Sequence, residues 1–305
     1  MNENTLSNKL NRVDTAVNTI KENWNIEQEA SIESVVETIG DGSYAPRRIT
    51  FTNYTGPELD YELSKLDTKN LVSFKNIFES CNQLTQLDVS KFKPDNIEDF
   101  TNMFSNCSKL TNIIGIDNWN MSKATQIHGM FSGCSSLQSL DLNNWDVSKI
   151  TNAAYLFSNC KGLTDLDLSN WKMDSLYTPN YLMPYCSKLK NVKIFEWTWH
   201  YRTASFQSAF TDCSSLTSLD LSKWHCEGTS ISMLSAFSGC TSLQYLDLRN
   251  LDFSKSSKYT NAFTGVPNNC LIIVKNDASK TWVLNCNSAF TNVKTLEEYI
   301  AEGGE

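Results

Sequence analysis

From Phe78 onward the apolar positions of the chain return every 26 or 27 residues. Counted from Cys134, the unit places Phe131 three residues before the cysteine and Leu137 three after it. Leu140 and Leu142 follow at six and eight, and Trp145 at eleven. Cys81, Cys107, Cys160, Cys186, Cys213 and Cys240 open the same register elsewhere, and Val266 takes the eighth place. The first leucine recurs as Leu84, Leu110, Leu163, Leu189, Leu216 and Leu243, and the second as Leu87, Ile113, Leu166, Val192, Leu219 and Leu246. Phe92, Trp119, Trp171, Trp197, Trp224 and Leu251 fill the large slot, Trp119 one residue late because Ile114-Gly115 carries an insertion. Within Leu-x-x-Leu-x-Leu the second half alternates inward and outward, so each unit predicts one short strand. A single unit cannot bury its own apolar face. Stacked copies share one continuous core, each advancing by about 4.8 Å, and eight of them span on the order of 40 Å.

The string Phe131-Ser-Gly-Cys-Ser-Ser-Leu-Gln-Ser-Leu-Asp-Leu-Asn-Asn-Trp145, with Asp146-Val-Ser148 behind it, recurs closely at Phe157 to Trp171 and Phe210 to Trp224. It resembles the BspA-type leucine-rich repeats of bacterial and protozoan surface proteins, and is close to a repeat of unknown function abundant in mycoplasma surface proteins. The resemblance runs from about Leu66 to Ile300. It implies an α/β fold, a right-handed leucine-rich-repeat solenoid of about eight coils with parallel strands on one face and shorter irregular structure on the other. The expected organisation is a helical segment over 1–48, a cap and imperfect first coil over 49–77, the repeats over 78–265 and a C-terminal cap over 266–305.

Seven cysteines, Cys81, Cys107, Cys134, Cys160, Cys186, Cys213 and Cys240, share one repeat position and should point inward at equal height in successive coils. Parallel Cβ vectors a strand spacing apart do not suit the disulfide, which wants Cβ atoms about 3.8 Å apart. They predict a buried ladder of thiols acting as small hydrophobes. Cys226, Cys270 and Cys286 lie off the ladder, and Cys270 with Cys286 is the pair to test first.

The ends differ from the middle. Leu6, Leu10, Val13, Val17, Ile20 and Trp24 are spaced 4, 3, 4, 3, 4, an a/d seam that either packs a helix on its own chain or joins copies in a parallel oligomer such as a trimer. A second helix is predicted from the N-cap Ser31 through Ile39, stopped by Gly40. This region resembles N-terminal segments of phage tail and fibre proteins, on Leu10 to Ile20 and Ala30 to Ile39. No basic stretch followed by an apolar one opens the sequence, which a virion protein released by lysis would share. Leu66 stands twelve residues before Phe78 as Trp145 stands twelve before Phe157, marking the imperfect first coil. Leu271-Ile-Ile-Val274 predicts a strand, and Val293 to Ala301 a helix, in the closing cap.

Composition narrows the function. The formal charge of −8 and the want of Lys/Arg clusters argue against nucleic acid, and no apolar run reaches the length of a membrane span, which predicts a soluble chain without membrane insertion. The chain has three histidines, His128, His200 and His225, and lacks the signatures of zinc proteases, phosphate loops and serine hydrolases, so no catalytic residue, cofactor or metal is expected.

Two constellations remain. Asp88, Asp141, Asp167, Asp220 and Asp247 recur between the strand leucines, with Asp117 nearby. Such a column either binds cations or polyols, or is answered by neighbouring hydroxyls and backbone N–H groups. The fifth unit departs furthest from the pattern: Pro184 and Tyr185 precede Cys186, Lys193 replaces the column aspartate, and Trp199, His200, Tyr201 and Arg202 have no core slot. Those four residues are candidates for a recognition patch or for local repacking. The leading expectation is a non-enzymatic recognition protein, a phage virion component contacting a bacterial surface glycan or protein and joined to other virion proteins through its N-terminus. A cell-surface adhesin of a bacterium or protozoan, and a purely structural virion spacer, are the alternatives.

Overall fold

The computed structural model describes residues 68, 71, 73–177, 179–194, 196–199, 203–226, 230–257 and 261–305. The expected N-terminal helices, the seam from Leu6 to Trp24 and most of the 49–77 cap lie outside these residues. In chain order the strands are β1 (Gln86–Asp88), β2 (Asn112–Ile114), β3 (Asp165–Leu168), β4 (Asn191–Ile194), β5 (Trp197–Trp199), β6 (Thr203–Ser205), β7 (Ser218–Asp220), β8 (Trp224–Cys226), β9 (Ser230–Ser232), β10 (Tyr245–Leu248), β11 (Leu271–Val274) and β12 (Val293–Thr295). Helices α1 (Asp277–Cys286) and α2 (Leu296–Ala301) follow the repeats.

Among the described residues all strand pairs are parallel, and the chain winds about seven turns of a β-solenoid. The leucine positions face one another across successive coils, Leu87 with Ile113, Leu166 with Val192, and Leu219 with Leu246 and then Ile272. One coil departs from the expectation of a strand per unit. Around Leu140 the backbone forms none, and Leu140 is only half-buried. This gap lies next to the coil whose extra residue is taken up by left-handed Gly115 and the 3-10 turn Ile116–Asn118. The fifth and sixth coils add strands of their own, β5 paired with β8 and β6 with β9.

The interior is a set of aromatic columns. Phe78, Phe104, Phe131 and Phe157 stack with centroids 5.6, 5.7 and 5.8 Å apart and nearly parallel rings. Phe92, Trp119, Trp145 and Trp171 form a second column at 6.3, 6.4 and 6.0 Å. Trp119, Trp145, Trp171 and Trp197 each donate the indole N–H to a backbone carbonyl of the preceding coil, which satisfies their polar atom inside the core. Met183 replaces phenylalanine in the fifth coil and interrupts the first column. Deleting one such buried ring costs about 3–5 kcal/mol.

The thiols do more than fill space. Cys107, Cys134, Cys160, Cys186, Cys213 and Cys240 each direct Sγ at a carbonyl of the coil before, on Phe78, Phe104, Phe131, Phe157, Met183 and Phe210, at 3.0–3.2 Å. The same carbonyl of Phe78, Phe104, Phe131, Phe157 and Phe210 already accepts the backbone N–H of its own coil's cysteine. The S–H donor thus occupies the second lone pair of a buried acceptor.

A further ladder runs through the segment before each cysteine. Phe100, Asn102, Phe104 and Asn106 donate N–H to the carbonyls of Gln126, His128, Met130 and Ser132, while Met103, Ser105 and Cys107 close tight turns within their own coil. Every second N–H therefore points to the next coil. That zigzag uses left-handed backbone five residues before and one residue before the cysteine: Asn76 and Ser80, Asn102 and Asn106, Gly129 and Gly133. At Gly133 a Cβ would lie 2.5 Å from Oδ1 of Asn106, so glycine meets both the dihedral and the crowding there.

The C-terminal cap corrects the sequence expectation in two places. Val293–Thr295 is a strand, not the start of a helix: Val293 and Thr295 are buried with Lys294 half-exposed between them, and they pair with β11. Thr295 then caps α2 in a capping box with Glu298. Helix α1 was not anticipated; Asn276 caps it by accepting the N–H of Ser279. Cys270 is buried and Cys286 half-buried, both as thiols. Arg249 clamps the tail, pairing with Asp247 at 2.6 Å and donating to the Glu305 carbonyl.

Burial pushes the Cys134 thiol up to about 12 and raises Cys107, Cys160 and Cys240 as well, while Cys213 is raised by its hydrogen bond with Cys186 and then by burial. Thiolates, not thiols, react. In a thiol-labelling experiment on the native chain at mildly alkaline pH, Cys226 and Cys286 should modify first, and the ladder only on unfolding. Fast native labelling of Cys134 or Cys160 would contradict the buried ladder.

Candidate functional site

The acidic column is a row of local turns. Asp88, Asp141, Asp167, Asp220 and Asp247 accept the backbone N–H two residues ahead, on Ser90, Asn143, Ser169, Ser222 and Arg249, at 2.8–3.2 Å. The side-chain hydrogen bonds of Ser90 and Ser169 hold Asp88 and Asp167 below the usual carboxylate range. Lys193 reaches across to Asp167 at 3.1 Å. Asp247 alone is buried, gripped by Arg249 and by the Tyr245 hydroxyl at 2.8 Å. Asp117 sits apart in the 3-10 turn. Among the described residues, no group of three or more His, Cys, Asp or Glu is placed to hold a metal ion.

The recognition patch expected in the fifth unit falls largely outside the described residues, which exclude His200, Tyr201 and Arg202. Trp199 ends β5, in backbone register with Cys226. Trp197 is buried as its repeat position requires and stacks on Trp224 at 5.0 Å. A shallow groove of about 420 Å³ lies where the strand ribbon is interrupted, lined by Thr111, Ser135, Ser136, Gln138, Gly162, Thr164 and Lys188.

The most unusual surface lies on the turn side of the coils. Where neighbouring coils place Asn, Gly, Ser or Asp in left-handed backbone, three positions carry tyrosine: Tyr155 (φ 59°), Tyr181 (φ 53°) and Tyr185 (φ 65°). A bulky side chain there costs about 1–2 kcal/mol. The rings do not recover that cost by burial in the core, since Tyr155 is 37% and Tyr185 45% exposed. Tyr155 and Tyr181 stack at 4.5 Å with planes 9° apart, and His128 meets Tyr155 edge-on at 5.5 Å. Desolvation, and Tyr181 beside it, raise the Tyr155 phenol. Tyr177, 53% exposed, stands on the same segment.

The surroundings of these rings carry little charge. Segments 124–135, 150–160, 176–187, 204–213 and 230–240 contain no Lys, Arg or Glu and one Asp, Asp212. What they offer is hydroxyl and amide: Gln126 donates to Thr151 at 2.8 Å, and Asn180 accepts the N–H of Gln207 at 3.0 Å. Sequence reasoning passed over this face because its ruler followed the leucines and thiols. The signal was present, as tyrosine at columns otherwise held by Asn, Gly and Ser, together with five consecutive charge-poor segments.

These features define a class, a parallel-strand repeat solenoid whose repeat-position thiols are buried and whose turn face is exposed. Residues 49–115, 111–224 and 167–275 each match the family described as Mycoplasma protein of unknown function, DUF285, and together they span 49–275. The chain belongs to that family, to which BspA-like repeat proteins are related. Overlapping matches are what a repeat produces. No curated protein matches the chain, so the likeness of 1–48 to phage tail and fibre proteins receives no support beyond its own residues.

Strain at an exposed position is removable. Tyr185→Asn restores the residue type found at Asn106 and Asn159, and should stabilise the chain by about 1 kcal/mol in denaturant unfolding. A loss of similar size would show that Tyr185 is held by packing.

Proposed function

We propose that the chain is a non-enzymatic recognition protein that works as an adhesin at a cell surface, by reversible multivalent contact through the outer faces of its solenoid. What supports the reading is the exposed, strained tyrosine face on a stacked repeat scaffold, with which a surface adhesin is consistent. Residues that pack a core need no left-handed tyrosines left half in solvent, whereas binding surfaces are enriched in this side chain. The stacked coils hold such groups at fixed spacing, which lowers the ordering cost of binding. If copies join through the Leu6 to Trp24 seam, weak contacts gain avidity by raised effective concentration. In this reading the partner is a surface glycan or protein, and neither nucleic acid nor an inserted membrane segment takes part.

Fluorescently labelled full-length chain, added to a panel of intact bacterial and animal cells, should bind at least one cell type saturably and be displaced by excess unlabelled chain. Absence of saturable binding across the panel would contradict the adhesin reading.

A further inference from the structure

The ligand of the turn face can be narrowed by its chemistry. Resting on the recognition reading above, we propose that the face built around Tyr155, Tyr181 and Tyr185 binds an uncharged saccharide chain lying across successive coils. Three observations converge on this class of ligand.

The first is the shape of the aromatic column. Position by position it reads Asn102, Gly129, Tyr155, Tyr181, Ser208 and Ser235. Tyr155 covers one face of Tyr181. Tyr181 is half-buried, and beyond it the column continues with the short side chains of Ser208 and Ser235. A sugar ring presents a patch of C–H bonds on one side and hydroxyls around its rim, and an aromatic face flanked by short polar groups complements both.

The second is charge. Five neighbouring segments hold Asp212 as their one ionic group besides His128. An anionic polysaccharide or a nucleic acid would require Lys or Arg here, because such ligands are bound chiefly through charge neutralisation. A protein partner would be expected to meet a desolvated apolar centre with charged groups at its rim. Leu234 is the exposed large aliphatic of this face. The remaining groups, Gln126, Thr151, Asn152, Asn180, Gln207 and Ser208, are neutral donors and acceptors, as a polyhydroxylated neutral ligand needs.

The third is repetition. Backbone bridges set Gln126 and Asn152 in register on neighbouring coils, with Asp99 at the same place one coil earlier, so amide side chains recur at matching positions beside the tyrosines. A ligand with a repeating array of hydroxyls can meet a repeating array of partners, so affinity should rise with chain length.

The test uses full-length protein and calorimetric titration with short neutral oligosaccharides of glucose, galactose, mannose and N-acetylglucosamine, with a sulfated oligosaccharide and neutral peptides as comparison ligands. The expected result is binding of at least one neutral series, stronger for longer members, and weakened at least about tenfold by Tyr181→Ala. Ser208→Leu, which puts a larger side chain next in the column while leaving Tyr181 in place, should weaken binding similarly. It distinguishes loss of the site from loss of the fold, since both variants must retain the cooperative melt of the parent. Undiminished binding in both variants would overturn the assignment to this face. Cell binding that survives in wild type without affinity for any neutral oligosaccharide, or that tracks the peptides or the sulfated ligand, would overturn the saccharide inference and leave the adhesin reading standing. Loss of all cell binding would overturn that reading instead.

Discussion

The structure depends on one constraint: each coil must satisfy its buried polar groups on the next. A unit of this length has no sheet or helix of its own to close its hydrogen bonds, and an unpaired buried carbonyl costs about 1–3 kcal/mol. The segment around each cysteine resolves this by sending alternate N–H groups to the following coil, and by having the next coil's thiol cap a carbonyl already used once. The aromatic columns and indole donors add packing to the same contact. Core geometry and backbone chemistry therefore have a common period.

That constraint also shapes the outside. The zigzag of the turn segment demands left-handed backbone at two places in each coil, positions that Asn, Asp and Gly fill at least cost. Tyr155, Tyr181 and Tyr185 occupy these places against the local preference. A scaffold stabilised by so many repeated contacts can carry this strain, and it holds the rings in fixed positions. The acidic column on the strand face is arranged differently, each carboxylate turned back onto its own chain. The two sides of the solenoid thus differ in character, one closed by local hydrogen bonds and the other presenting aromatic rings among neutral polar groups.

Much of the fold was legible because burial repeats. Leu87 and Ile113, or Leu219 and Leu246, face one another as their spacing implies, and Trp145 and Trp171 stack where the large slot placed them. The missing strand near Leu140 was not legible, since pairing there depends on the path of the preceding coil and not on its own pattern. Val293–Thr295 shows the opposite limit: alternation over three residues is too short to separate from a helix start until β11 lies beside it. The thiol's donor role was hidden because a hydrophobic pattern records size and says nothing of where a carbonyl points. Tyr155, Tyr181 and Tyr185 were visible as residues, but their backbone conformation, which makes them unusual, emerges only once the coils are stacked.

Residue-resolved hydrogen exchange on the native chain tests the stacking most directly. The amides of Phe100, Asn102, Phe104 and Asn106, and their counterparts Ile127, Gly129, Phe131 and Gly133, donate across coils and should be protected to the level of global unfolding. Exchange of these groups at the rate of exposed loops would contradict the inter-coil ladder and the solenoid built on it.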